Sequence, residues 1–442
     1  MSNNNKVLRS ETVRSSRVDF KYEKLTMENG LTVLIAPMPG YRTVQASLAV
    51  DFGSVDQSFT LDGETISLPA GVAHFLEHKM FESEDGDAFD QYAKTGASAN
   101  AYTGFDRTCY VFSATDQIDE SLDVLLGLVA SPYFTEQTIA KEQGIIGQEI
   151  RMYEDSPEWQ LLFSAFSCLY HNCPIKEDIA GSVESIAQIT PQMLYACTDA
   201  FYTPQRMVLA VAGNITREQV VEALGRTPLP QSGKTAQKIQ QQEPREIVKP
   251  FDERTMSIAR PVLGVAFKEQ PWPREQRATM EVITDLLCEL IVGDTTPLYR
   301  KLYDEGLVNS GFSGEVFSGE GYASIIFSGE TRDPDAVRLA LLAEIERLKK
   351  EGIGEEDFEI CRNLLYGEAV SEFESADDVA GSLSSGQLRG EELFFEVETL
   401  ASLTCAQVQQ ALNTLLQPET SAMVVLRPGG DAGDGMAEEE DE

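Results

Sequence analysis

Positive charge is scarce in this chain: 35 lysines and arginines stand against 72 aspartates and glutamates over 442 residues, a formal net charge of −37. That balance repels nucleic-acid phosphates and anionic membrane surfaces and excludes both as partners. Acids lining a substrate chamber would favour Lys- or Arg-rich peptides, whereas acids on a solvated surface would favour none. No apolar run reaches the roughly 18 residues needed to span a bilayer, and Met1–Lys6 opens no secretory signal, so a cytoplasmic protein is expected. The seven cysteines are scattered, odd in number and without a Cys-x-x-Cys pair, which excludes a disulfide framework and implies reduced thiols. Histidine is rarest of all: there are three, and two of them stand within five residues, His74-Phe75-Leu76-Glu77-His78.

From Gly71 to Phe81 nothing breaks a helix after the glycine, and Pro69 just upstream suits a first turn. At about 100° per residue, His74 and His78 lie roughly 40° apart around the axis and about 6 Å along it, so both imidazoles reach one ion. Glu77 then flanks that ion. Two neutral imidazoles and one carboxylate leave Zn²⁺ an open position for water, the arrangement of a catalytic site. Cys168, His171 and Cys173 form a rival constellation of three ligands for a structural zinc, without an evident fourth.

His-x-x-Glu-His is the inverzincin order. With Gly53-Ser54-Val55-Asp56 ahead of it, and Gly96 to Thr103, Thr108-Cys109-Tyr110 and Phe201-Tyr202-Thr203-Pro204 running into Met207–Gly213 after it, the chain resembles the pitrilysin and insulysin peptidases, which include the mitochondrial processing peptidases. The resemblance covers nearly the whole chain. It implies a third ligand on a distant helix, a glutamate seven residues after another glutamate; Glu142 and Glu149 have that spacing. Thr135 to Tyr153 reads as that helix, with Thr135 as cap, and Glu142, Ile145, Ile146 and Glu149 then form one stripe with a buried look. A buried carboxylate is costly unless paired or metal-bound. Glu149 is therefore the expected ligand and Glu142 the group that orients a ligand or the water.

The implied chemistry is zinc-dependent peptide hydrolysis with Glu77 as general base and then general acid. Ala99, Asn100 and Ala101 lie in a strand-like run of small side chains along which an extended peptide can add, with Asn100 holding a substrate carbonyl. The same run also reads as an ordinary strand packed under helices.

Two similar α+β domains are expected, each a mostly antiparallel sheet packed with helices: residues 1–226 with the zinc site, a linker over 227–250, and 251–428 without a histidine. Tyr110 to Asp116 finds an echo in Ala323 to Thr331, and Met207 to Ala212 in Ala422 to Arg427. Gly429 to Glu442, rich in glycine and acids, reads as a disordered tail.

The resemblance breaks in the second half, where relatives that act alone or as homodimers carry an arginine and a tyrosine that hold substrate. Tyr303 and Asn309 stand at those places, and Arg300 lies one helical turn earlier. The chain is also half as long as relatives that enclose substrate in one polypeptide. A clam-like dimer follows, a heterodimer with a zinc-less homologue being preferred over a homodimer. The alternative to a peptidase is a non-catalytic structural or assembly subunit of the same fold.

Overall fold

Strands buried on both faces read as unbroken apolar runs, and strands with one wet face alternate. Both kinds occur here. The computed structural model describes residues 6–84, 86–229 and 233–429. Val44–Val50 (β4) and Met207–Gly213 (β7) are buried at every position. With Val7–Arg14 (β1), Lys21–Met27 (β2), Thr32–Pro37 (β3), Ser98–Thr103 (β5) and Thr108–Ala114 (β6) they make a seven-stranded sheet in the order β1-β2-β3-β7-β4-β6-β5. Only β3 and β7 run parallel; every other neighbouring pair is antiparallel.

The second sheet repeats this wiring with Phe251–Met256 (β8), Val262–Lys268 (β9), Ser313–Gly319 (β10), Tyr322–Glu330 (β11) and Ser421–Pro428 (β12), in the order β8-β12-β9-β11-β10. Its one parallel pair, β8 with β12, stands where β3 pairs with β7. The two echoes in the sequence occupy equivalent places, β6 with β11 and β7 with β12. The fold is thus α+β with two similar domains.

These sheets anchor two compact units that are not consecutive stretches of chain. One comprises residues 1–150, 178–240 and 368–398; the other comprises 151–177, 241–367 and 399–442. A linear division at 226 and 251 therefore does not describe them, and the reason is packing. In the first unit the helix Ala376–Arg389 lies on β3, β7 and β4, burying Val379, Ala380 and Leu383 against Leu34, Ala36, Val208, Ala210 and Ala212, the same-face residues at a period of two. Ser47 and Ser384 Oγ atoms meet at 2.9 Å across this interface. In the second unit the helix Pro157–Leu169 lies on β8, β12 and β9, close enough that a Cβ on Gly264 would come within 3.3 Å of Leu161. Each sheet is covered at equivalent strands by a helix from the other half of the sequence.

Within the expected linker, Ala236–Lys238 is a strand paired with Ser58–Leu61, which pairs in turn with Glu64–Ser67. The expected acidic tail beyond Gly429 lies outside the described residues.

Candidate metal centre

The helix Val72–Met80 (α1) starts at Gly71, whose φ of 89° is left-handed and costly for any other residue. A Cβ there would stand 2.4 Å from the Ala180 carbonyl oxygen, and a Cβ on Gly181, at φ 76°, would stand 2.5 Å from that of Ala70. Two glycines thus let two backbones touch and fix where α1 begins. Apolar Val72, Ala73, Phe75, Leu76 and Met80 are all buried, so α1 is anchored on several sides. His74 and His78, one turn apart, bring their ring centroids to 4.6 Å.

The helix Glu136–Glu154 (α2) supplies the carboxylates. Thr135 Oγ1 accepts from the Thr138 N–H at 3.2 Å, the cap expected from the sequence. Glu149 Oε1 lies 3.5 Å from His74 Nε2, and its Oε2 lies 3.5 Å from His78 Nε2. Glu142 Oε1 is 3.0 Å from His78 Nδ1 and is 8% exposed. An ionised carboxylate only accepts, so the Nδ1–H donates to Glu142 and Nε2 is the ring nitrogen left to face Glu149. The buried stripe is corrected at one position: Ile146 is fully buried but Ile145 is 46% exposed, because the face of α2 turned to α1 is narrower than the spacing alone suggests.

Burial pulls the His78 pKa down, but the hydrogen bond it donates to Glu142 and the charges of Glu77 and Glu149 outweigh it and the net shift is upward. For Glu142 burial acts to raise the pKa, and His78, Lys79 and Lys141 together hold it below the usual carboxylate value. Lys79 is wholly buried and pairs with Glu82.

The ligand atoms of His74, His78 and Glu149 all lie within 4.8 Å of one another. A tetrahedral ion with bonds of about 2.1 Å has edges of roughly 3.4 Å, so the 3.5 Å separations match two edges of a zinc shell. Two imidazoles and a carboxylate are also zinc's donor set in open sites. Among the described residues no other group of three fits. Cys168, His171 and Cys173 do not converge; the backbone N–H groups of His171, Asn172 and Cys173 instead donate to Glu243, which pairs with Lys268 at 2.6 Å.

Glu77 is buried, and its Oε2 accepts from Thr103 Oγ1 at 2.7 Å. Thr103 is the residue that sequence reasoning left without a role, since a bond between a helix and the last residue of a strand has no local pattern; the signal available was the hydroxyl at the end of the small-residue run. β5, which carries it, is the edge of the sheet. Ala99 and Ala101 are half-buried and Asn100 is exposed, its Oδ1 accepting from the Ala101 N–H at 2.9 Å. In the other unit Tyr303 is 52% exposed and stacked on Tyr299, Arg300 Nε donates to the Asp294 carbonyl, and Asn309 donates to Glu330.

Residues 32–181 match the insulinase (peptidase family M16) model and residues 188–365 the M16 inactive-domain model. A Bacillus subtilis protein, the uncharacterised zinc protease YmfH, is 33% identical over 393 residues, covering 87% of this chain and 92% of the relative. The chain belongs to the M16 peptidase family. A second M16 relative, an uncharacterised zinc protease of Mycobacterium leprae, is 25% identical over 427 residues and 91% of each chain. Among solved structures, an M16-like peptidase from Alicyclobacillus acidocaldarius superposes with a TM-score of 0.90 at 29% identity, covering 93% of this chain and 99% of the other. Pitrilysin shares the fold at 17% identity and a TM-score of 0.75, and the match takes in 95% of this chain but 46% of pitrilysin. This M16 chain is therefore half a pitrilysin in length.

Proposed function

We propose that the chain is a zinc metalloendopeptidase that hydrolyses peptides or small unfolded polypeptides as the catalytic subunit of a clam-like dimer. One observation carries the reading: His74, His78 and Glu149 converge from two helices at zinc-bonding separations beside a carboxylate, Glu77, that the edge strand holds in place. The ion, when bound, acidifies a water and polarises the scissile carbonyl. Glu77 accepts the proton as that water attacks and returns it to the leaving amine. Thr103 occupies Oε2, which leaves Oε1 for the water. Glu142 holds the His78 ring and its tautomer.

Substrate adds to β5 as a further strand, because an edge strand offers a row of unpaired backbone groups and Ala99 and Ala101 let a second backbone come close. Asn100 Nδ2 donates to a substrate carbonyl while Oδ1 caps its neighbour. The net charge of −37 favours basic peptides. Tyr303 and Asn309 offer no guanidinium fork to a substrate, which favours a heterodimer whose other subunit supplies one. Seven free cysteines favour a reducing compartment, the cytoplasm. No helix among the described residues is long and apolar enough to cross a membrane.

Zinc content and hydrolysis of a mixed peptide library, measured for the chain alone and with homologous partner subunits, test the reading. Glu77→Gln is expected to keep zinc and lose turnover. A chain that binds zinc yet cleaves nothing with any partner would be an assembly subunit instead, a reading that the match of residues 188–365 to an inactive domain keeps in view.

A further inference from the structure

A mostly buried cation lies where the expected linker folds back on the first unit. The strand Ala236–Lys238 ends on a lysine whose ammonium two carboxylates share: Lys238 Nζ stands 2.7 Å from Asp51 Oδ1 and 2.9 Å from Asp56 Oδ2. Arg206 holds the same strand, its Nη2 donating to the Ala236 carbonyl at 2.7 Å while its Nη1 pairs with Asp51 at 3.0 Å. Both cations lie over the ring of the buried Phe201, 5.4 and 5.9 Å from its centroid. Asp51 thus has two cations, whereas among the described residues Asp56 has Lys238 alone. Asp56 is 7% exposed, and burial pushes its carboxyl up to about 6 although Lys238 stands beside it. Without that cation only one backbone N–H would offset its lost hydration, and the carboxylate would take up a proton or turn towards water.

Asp56 in turn shapes a loop. Its Oδ2 accepts from the Gly53 N–H at 2.8 Å and closes Gly53–Asp56 on itself. That loop grips the segment after β5: the Ser54 N–H donates to the Gly104 carbonyl and the Val55 N–H to that of Phe105, each at 3.0 Å. Backbone meets backbone here, since a Cβ on Gly53 would stand 2.4 Å from the Phe105 oxygen. Gly104 follows Thr103, whose hydroxyl donates to Glu77 Oε2 at 2.7 Å. Thr103 is therefore placed by its pairing with Thr108 and by a loop that depends on Asp56. A hydrogen bond weakens steeply as its geometry departs from the optimum, so a small shift at Gly104 reaches Glu77.

We infer that Lys238 is a positioning residue for the general base: it balances the charge of Asp56, the loop Gly53–Asp56 then fixes Thr103, and Thr103 fixes Glu77. The inference rests on Glu77 as the base of a zinc peptidase and adds a distant residue to that site.

Lys238→Met in the full chain tests it. Turnover of a peptide substrate is expected to fall roughly tenfold in kcat, with KM and zinc affinity within about twofold, because the base acts in the chemical step. In a Thr103→Val background the same substitution should cost nothing further, since both act through one hydrogen bond. Adding Asp56→Asn to Lys238→Met should restore most of kcat: an amide oxygen still accepts from the Gly53 N–H and leaves no unbalanced charge, so failure to fold cannot imitate the result. Amide exchange supplies a readout that needs no turnover. Ser54 and Val55 should exchange several-fold faster in Lys238→Met while the amides of β7 keep their protection. Glu77→Gln separates this inference from the reading beneath it, for retained turnover there would mean that the base itself is misassigned. With Glu77→Gln inactive, an unchanged kcat in Lys238→Met, a loss additive with Thr103→Val or a loss that Asp56→Asn does not restore overturns the positioning role. Unchanged exchange at Ser54 and Val55 overturns it even in a chain without turnover.

Discussion

Glu142 meets the ring of His78, and its replacement should weaken zinc binding in a graded way. Its carboxylate accepts from His78 Nδ1 at 3.0 Å, and both groups are mostly shielded from water. A hydrogen bond to a charged group contributes about 1.5–3 kcal/mol and a neutral one about 0.5–1.5 kcal/mol. Glu142→Gln keeps an acceptor and loses the charge, a difference of about 1 kcal/mol, or roughly fivefold in zinc affinity. Glu142→Ala removes the acceptor and leaves the ring N–H unpaired, so about 2–3 kcal/mol, or roughly 30- to 150-fold, is expected. Competition against a chromophoric chelator at neutral pH measures both constants. At saturating zinc both variants should retain most of their turnover, because Glu77 and its bond to Thr103 are untouched. Equal zinc affinity for parent, Gln and Ala variants would refute the role given to this carboxylate.

Thr103→Val deletes the donor to Glu77 and should lower kcat by roughly tenfold with little change in zinc content, read by steady-state kinetics beside metal analysis. For Gly71→Ala the left-handed backbone alone costs about 1–2 kcal/mol, and contact with the Ala180 oxygen adds to that. Melting temperature and zinc affinity should fall together, and a fall in neither would mean that α1 is not held at this point. Burial pushes the Glu269 carboxyl up to about 7 against an ordinary value of 4.5, despite its bond from the Leu416 N–H. The folded chain therefore holds that proton more tightly than the unfolded chain. Stabilisation present below pH 4.5 is lost as pH rises towards 7, about 3 kcal/mol in all, and Glu269→Gln should flatten this slope in denaturant titrations across that range.

Local pattern reached far in this protein, and its reach ended where contacts stop being local. The span of α1, the cap at Thr135 and the strands β4, β6 and β7 follow from breakers, side-chain hydroxyls and apolar runs within a few residues of each other. Glu142 and Glu149 were legible because their spacing on one helix matches a known pattern. Thr103 was not, since its partner Glu77 stands 26 residues away and the hydroxyl closing the small-residue run does not by itself name a partner. Ile145 misled because helical periodicity names a stripe but not the width of the surface that covers it. The strand Ala236–Lys238 was hidden in a polar stretch, where pairing with Ser58–Leu61 decides the conformation in place of apolar content. The exchange of Pro157–Leu169 and Ala376–Arg389 between units leaves no trace in either helix, since each is amphipathic whichever sheet it covers.

That exchange bears on how the molecule is made. On the ribosome, the first sheet emerges well before the helix that seals Leu34, Val208 and Ala210, so its core stays open until residue 398 has been synthesised. Neither half of the gene would yield a sound fragment, and a nick in the connecting segments would leave the pieces clasped through their lent helices. The first unit is built so that it cannot mature ahead of its companion.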